Sequence, residues 1–220
     1  MTIPDAFLSG RLVDENGRPP LFASFTIVTE GDFRGQRGFV RVQGDHRVRP
    51  DGSFTSPPLL PGRYYLRFFG MLQHDQIAGS VRADKQRRCF DFIYPNADIV
   101  LEAVPFDLQA GETMNSVFDV PEPIWFNIAG YVKRSLAVED RNRMFILFSR
   151  NMGILPDVGG IGFPVKIDDS FEGILLSGSY AASLNEMSDP EPDGYTHAVR
   201  QVRSIAFVIE RDTLNLEFPL

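Results

Sequence analysis

Arg49-Pro-Asp-Gly-Ser-Phe54 and, shortly after it, Leu59-Leu-Pro-Gly-Arg-Tyr64 form the stretch that decides the fold of this chain. Each block joins a turn signal to the start of a strand. Asp-Gly tolerates left-handed backbone and Pro-Gly favours a reversal, whereas the Phe and the Tyr that follow have a high strand propensity. The stretch therefore predicts two tight turns, each leading into a strand that carries an aromatic residue towards a core.

The second half of the chain repeats these blocks and a third one that precedes them, in the same order and at nearly the same spacing. The three pairs are Leu8-Ser-Gly10 with Ile128-Ala-Gly130, Arg49 to Phe54 with Lys166-Ile-Asp-Asp-Ser-Phe171, and Leu59 to Tyr64 with Leu175-Leu-Ser-Gly-Ser-Tyr180. An internal repeat of this kind indicates a tandem of two similar domains. We expect these domains at residues 6–122 and 123–220.

Between the blocks, apolar residues alternate with a period of two, and helical periodicity is nearly absent. The strand after Gly62 carries Tyr64, Leu66 and Phe68 on one face and Tyr65, Arg67 and Phe69 on the other. The final strand is expected to turn Leu214, Leu216 and Phe218 inward. Many short strands separated by turn signals predict an all-β chain made of two tandem antiparallel β-sandwiches.

The recurring residues have roles in folding that need no ligand. Asp and Gly bend the turn, Phe anchors the next strand, Pro-Gly makes the following reversal, and Tyr buries its ring with the hydroxyl near a backbone partner. The opening glycine of each copy marks a close approach of two backbones. The residues of the first copy are Gly10, Asp51, Gly52, Phe54, Pro61, Gly62 and Tyr64, and those of the second are Gly130, Asp168, Phe171, Gly178 and Tyr180.

These motifs resemble those of carboxypeptidase regulatory-like domains. Gly10-Arg-Leu-Val13 is similar to the family's opening strand, and Asp51-Gly-Ser-Phe54 with Leu60-Pro-Gly-Arg-Tyr64 is similar to its middle. The resemblance implies seven-stranded sandwiches with a prealbumin (transthyretin-like) fold, a non-catalytic role and an extracellular or periplasmic location. The second copy departs from the pattern, with Asp169 in place of the turn glycine and Ser177 in place of the turn proline.

Composition limits the partners. The 220 residues carry a formal net charge of −7, which disfavours binding to nucleic acid. The short basic run 85–88 is expected to be a solvated loop, and the single cysteine, Cys89, excludes an intramolecular disulfide. We expect no membrane span and no signal peptide within this sequence.

Catalytic and metal-binding patterns are weak. The histidines, His46, His74 and His197, show no zinc-binding spacing, and His74-Asp75 is expected to be a surface loop. The glycines of Gly159–Gly162 are not followed by the Lys-Ser/Thr of a phosphate loop, which favours a hairpin. We therefore predict no catalytic residue, no metal and no cofactor, so the chain is not expected to be an enzyme.

Three other sequence features suggest a ligand site or a cross-link, and each also has a structural explanation. Trp125, Tyr65 and Phe69 could stack on sugar rings if exposed, although Trp125 lies where the two domains join and is expected to pack there. The acidic run 189–193 could hold calcium, but its alternating prolines favour an extended hairpin tip. Lys133 and Asn215 have the residue types of an isopeptide cross-link, but the alternation of the last strand places Asn215 away from the core.

The leading hypothesis is a non-catalytic spacer or protein-interaction module. A protein partner, or a second copy of the chain, would bind through edge strands or loops. The alternatives are a carbohydrate-binding module and a subunit of a homopolymeric surface fibre.

Overall fold

A computed structural model describes residues 5–72, 89–133, 144–155, 160–187 and 199–219. These residues form strands, turns and one 3-10 turn at Val100–Glu102, so the prediction of an all-β tandem sandwich is confirmed. The chain divides into two compact units. The first comprises Met1–Pro123 with Met152–Pro156, and the second comprises Ile124–Asn151 with Asp157–Leu220.

The first unit contains a small sheet and a large sheet. Its strands are β1 (Phe7–Val13), β2 (Phe22–Phe33), β3 (Gln36–Arg41), β4 (His46–Arg47), β5 (Ser53–Thr55), β6 (Gly62–Met71), β7 (Cys89–Ile93), β8 (Phe106–Leu108), β9 (Thr113–Asp119) and β12 (Ile154–Leu155). The small sheet has the order β5-β1-β9, and the large sheet has the order β12-β3-β2-β6-β7, with β4 paired to β2 and β8 to β6.

The core of the first unit lies between these two sheets. Phe54 of β5 and Phe118 of β9 meet Phe68 of β6, with ring centroids 5.2–5.4 Å apart. The alternation predicted for β6 is present, because Tyr64, Leu66 and Phe68 all belong to this core. Tyr65 points to the opposite face of the sheet and joins a separate apolar cluster.

The second unit repeats the strand pairing of the first. Its strands are β10 (Trp125–Lys133), β11 (Met144–Arg150), β13 (Ile161–Pro164), β14 (Ser170–Leu176), β15 (Gly178–Met187), β16 (Val199–Ile209) and β17 (Thr213–Pro219). The small sheet has the order β14-β10-β17, and the large sheet has the order β13-β11-β15-β16. Phe148, Phe171 and Phe218 are buried at its core, where their ring centroids lie 5.8–6.4 Å apart.

The pairing differs from an all-antiparallel arrangement in each small sheet. The first and last strands of each unit, β1 with β9 and β10 with β17, pair in parallel. The first unit also exceeds the expected seven strands, because the short strands β4 and β8 extend its large sheet and β12 adds to the edge of β3. The described part of the second unit contains seven strands.

The prediction that Leu214 points inward is wrong. Leu214 is 61% exposed, whereas Phe218 of the same strand is buried. The pairing of β10 with β17 shifts register between Ile128 and Gly130, which lie opposite Thr213 and Leu216. An extra residue therefore sits on β17, where Asn215 has a φ of +73°. A bulge of this kind interrupts the alternation, so the residues before it no longer follow the same period.

Candidate functional site

The first turn motif is held by its own carboxylate. Asp51 Oδ1 accepts hydrogen bonds from the Ser53 amide at 2.9 Å and the Ser53 hydroxyl at 2.7 Å. The hydrogen bond from the hydroxyl is the main cause that lowers the pKa of Asp51 below its ordinary value of 3.8. Gly52 follows with a φ of +84°, and its carbonyl accepts a hydrogen bond from the Leu12 amide. This turn therefore fixes β5 against β1.

The second unit builds the same turn with one different residue. Asp168 Oδ1 accepts from the Ser170 hydroxyl at 2.6 Å and from the Ser170 amide at 3.1 Å. These bonds lower the pKa of Asp168, with the hydroxyl again the main cause. Asp169 takes the place of Gly52, has a φ of +67°, and its carbonyl accepts from the Val132 amide.

A tyrosine closes the next corner in each unit. The Tyr64 hydroxyl donates to the Leu60 carbonyl at 2.7 Å, and the Tyr180 hydroxyl donates to the Leu176 carbonyl at 2.9 Å. Both rings are buried, and burial raises the pKa of Tyr64. The reversal before each tyrosine differs: Pro61 and Gly62 are exposed, whereas Gly178 has a φ of +139° beside the Arg150 side chain.

The opening glycines lie where the parallel strands meet. A side chain at Gly10 would overlap the Ser116 carbonyl of β9 and the Phe118 ring. A side chain at Gly130 would likewise overlap the Leu216 carbonyl of β17, and would come within 2.7 Å of Phe171. The motif residues of each copy thus act in turns, corners and strand contacts, and they do not converge on a shared cleft.

The three candidate aromatic residues do not form an exposed row. Tyr65 is buried and meets Phe39 edge to face at 5.3 Å. Phe69 is half-buried beneath the Arg67 guanidinium, at 5.2 Å. Trp125 is half-buried on β10, opposite Leu176. A sugar-binding platform needs solvent-facing rings, and these side chains do not provide one.

The described residues contain no cluster that fits a metal ion, and they do not bring Lys133 opposite Asn215. No group of three or more His, Cys, Asp or Glu side chains there could hold a metal ion. His46 packs its ring 5.2 Å from Phe25. Lys133 lies opposite Pro219 rather than Asn215, with its Nζ 4.0 Å from a Glu217 carboxylate oxygen. His74-Asp75, the basic run 85–88, the acidic run 189–193 and His197 lie outside the described residues.

Part of the glycine-rich run forms a strand. Ile161–Pro164 forms β13, which pairs with β11, so Gly162 belongs to a strand rather than a phosphate loop. No helix in the described ranges is long and apolar enough to cross a membrane.

The first unit also has a surface groove that the sequence did not predict. It has a volume of about 460 Å³ and lies between the start of β2 and the residues after β4. Its lining includes Pro20, Leu21, Phe22, Arg47, Arg49 and Pro50. Leu21 and Phe22 are more than half exposed, so the groove combines apolar side chains with two guanidinium groups. Leu21-Phe22 and Arg47-Val48-Arg49 lie in separate segments of the sequence, so no local pattern indicated the groove.

The sheet edges are the other accessible feature. Among the described strands, β9 and β17 each end a small sheet, and β16 ends the large sheet of the second unit. Val117 of β9 and Leu214 of β17 are each 61% exposed. An edge strand presents unpaired backbone donors and acceptors, to which another strand can add.

No family model matches this chain, and no curated protein matches it. Among solved structures, it is similar to the Bacillus anthracis TIE protein, with 9% identity and a TM-score of 0.32 over 99% of this chain and 34% of that one. It is similar to a streptococcal ancillary pilin, with 15% identity and a TM-score of 0.36 over 97% and 62%. A DUF3823 family protein from Bacteroides uniformis gives 12% identity and a TM-score of 0.32 over 94% and 100%. The chain thus spans about a third of the TIE protein and under two thirds of the pilin.

Proposed function

We propose that this chain is a non-catalytic interaction module built from two carboxypeptidase regulatory-like sandwiches, at residues 6–122 and 123–220. The repeated strand order supports the division into two domains of one type. The shared turn and corner motifs, with Asp51 matched by Asp168 and Tyr64 by Tyr180, support the family resemblance.

The observation that carries the function is the contrast between the motif residues and the sheet edges. The carboxylates and hydroxyls of the motif residues already have hydrogen-bond partners within their own unit. No group of three or more His, Cys, Asp or Glu side chains in the described residues could hold a metal ion. The strands β9 and β17, by contrast, each end a small sheet among the described strands, and they carry the exposed residues Val117 and Leu214. A protein strand that adds at these edges gains backbone hydrogen bonds and apolar contact together.

Site-specific photo-cross-linking tests this proposal. A photoreactive amino acid is placed at Val117, at Leu214 or at Leu101, and cells that express each variant are irradiated. Leu101 is the matched control, because it is 77% exposed but lies in the 3-10 turn and not on a sheet edge. We expect protein adducts at positions 117 and 214 and none at 101.

Mass spectrometry of the adducts separates the two kinds of partner. Adducts that contain a second copy of this chain would favour the fibre subunit, and adducts with another protein would favour the interaction module. The proposal is wrong if neither edge gives a protein adduct, or if the purified chain turns over substrates in ester, peptide or nucleotide panels.

A further inference from the structure

One edge of the first unit is already occupied by a strand from a distant part of the chain. In β12, Ile154 lies opposite Phe39 and Leu155 lies opposite Val40, in parallel with β3. The strand Ile154–Leu155 thus extends the large sheet of the first unit and, with Met152 and Gly153 before it, forms a segment of that unit that follows β11 in the sequence. We call it the strap.

Two side chains of the strap are buried in an apolar cluster of the first unit. Met152 and Ile154 are only 3% and 4% exposed, and they complete a cluster with Val28, Tyr65 and Val100. The Met152 carbonyl accepts a hydrogen bond from the Val100 amide at 3.0 Å. The first unit therefore contacts both the side chains and the backbone of the strap, as a sheet does when a peptide strand adds to its edge.

Two glycines shape the site for this segment. Gly153 has a φ of +73° and lies between the two inserted side chains, next to Val100. Gly38 of β3 leaves room for Leu155, because a side chain there would come within 3.1 Å of Leu155 Cδ1. The occupant therefore fits as the two-residue strand Ile154–Leu155, preceded by a bend at Gly153 that brings Met152 into the same apolar cluster.

We propose that the β3 edge is a strand-addition site and that its partner is the strap of a second copy of this chain. The inference rests on the proposed function, to which it adds a further edge, β3, and one partner. A second copy carries an identical segment, so the exchanged strap would make the same contacts as the intramolecular one. The strap adds a two-residue strand and two inserted side chains, which makes its release a local event rather than global unfolding.

Disulfide trapping tests the exchange. Val40→Cys and Leu155→Cys are made separately, each with Cys89→Ala so that no other thiol remains. The two positions are register partners on neighbouring strands, which brings them within disulfide range. The two variants are mixed at increasing concentration with reduced and oxidised glutathione. We expect a covalent heterodimer that contains the 40–155 cross-link and whose yield rises with protein concentration.

A matched mixture measures non-specific coupling. Gln36→Cys replaces Val40→Cys, because Gln36 lies on the same strand but away from the strap and is exposed. We expect at least tenfold less heterodimer from this mixture. Equal yields from the two mixtures would contradict exchange at the strap.

The double variant Val40→Cys/Leu155→Cys with Cys89→Ala separates the remaining outcomes. If it closes within one chain while the mixed single variants give no heterodimer, the strap stays in its own chain and the exchange is wrong. If neither disulfide forms, the β3 site itself is refuted. The photo-cross-links at Val117 and Leu214 probe other edges. The disulfide test of the strap can therefore fail while the test of the proposed function succeeds, and the reverse also holds.

Discussion

A left-handed backbone position in the turn before β14 is occupied by Asp169, whereas the equivalent position before β5 is occupied by glycine. The two φ angles are +67° and +84°. A side chain in this region crowds its own carbonyl, and aspartate tolerates it better than most residues but less well than glycine. The left-handed position costs a residue that has a Cβ about 1–2 kcal/mol, and the greater backbone freedom of unfolded glycine offsets about 0.5–1 kcal/mol of this. We therefore expect Asp169→Gly to stabilise the second unit by about 0.5–1 kcal/mol. Urea unfolding measures the change.

The reciprocal variant is the control for this prediction. A Cβ atom at Gly52 would come within 2.5 Å of the Leu12 carbonyl oxygen, so Gly52→Asp should destabilise the first unit. A loss of stability in Asp169→Gly would show that the aspartate side chain contributes more than the backbone strain removes.

The paired carboxylates of the turn motifs predict a pH dependence. Folding lowers the pKa of Asp51 and of Asp168 below 3.8, chiefly through the hydroxyls of Ser53 and Ser170. A carboxyl whose pKa falls on folding stabilises the folded state above its unfolded pKa, and this contribution is lost as the pH drops through the folded value. Asp51→Asn should therefore be less stable than the parent at pH 7, and the difference should shrink below about pH 4.

Carbon-13 NMR titration checks the assigned cause. In Ser53→Ala, the pKa of Asp51 should rise towards 3.8, while that of Asp168 should stay unchanged. An unaltered Asp51 pKa in this variant would mean that the hydroxyl does not stabilise the carboxylate.

At the scale of elements, the parallel contact of β1 with β9 depends on a missing side chain. Gly10→Ala would drive a methyl group into the Ser116 carbonyl and the Phe118 ring. Overpacking of this kind destabilises by about 1–3 kcal/mol. Gly130→Ala should have an effect of similar size on β10 and β17, because it meets the Leu216 carbonyl and Phe171.

Thermal unfolding followed by circular dichroism compares these variants with Gly44→Ala. A Cβ atom at Gly44 would have no neighbour within 4 Å, so that substitution should change stability by less than about 0.5 kcal/mol. If all three variants had equal stability, close strand approach would not explain the glycines.

The sequence predicts those elements whose determinants are local. The turns before Phe54 and Phe171 follow from adjacent residues, and the two faces of β6 follow from strict alternation. Leu214 was mispredicted because the bulge at Asn215 arises from pairing with β10, which the pattern of β17 alone does not contain. The strap was missed because a two-residue strand has no measurable period and its partner β3 is far away in the sequence. The groove was missed because its walls come from separate segments.

At the scale of the whole molecule, the two units share their strand order, although many of their matching residues differ. The small sheets β5-β1-β9 and β14-β10-β17 match strand for strand, as do β3-β2-β6-β7 and β13-β11-β15-β16. The aromatic anchors Phe54 and Phe171 occupy matching strands, yet each packs in its own cluster, and the two clusters share no residue. The strap has no counterpart among the described strands of the second unit.

Because the two core clusters share no residue, a cavity in the core of one unit should not loosen the strands of the other unit. Phe54→Ala and Phe171→Ala each remove a fully buried ring, which destabilises by about 3–5 kcal/mol. Hydrogen exchange followed by mass spectrometry should show faster exchange in β1, β5 and β9 for the first variant, and in β10, β14 and β17 for the second. Leu101→Ala, which removes an exposed side chain, should leave all six strands unchanged. Equal acceleration of both sets of strands by Phe54→Ala alone would contradict two independent cores, because a cavity loosens first the strands that line it.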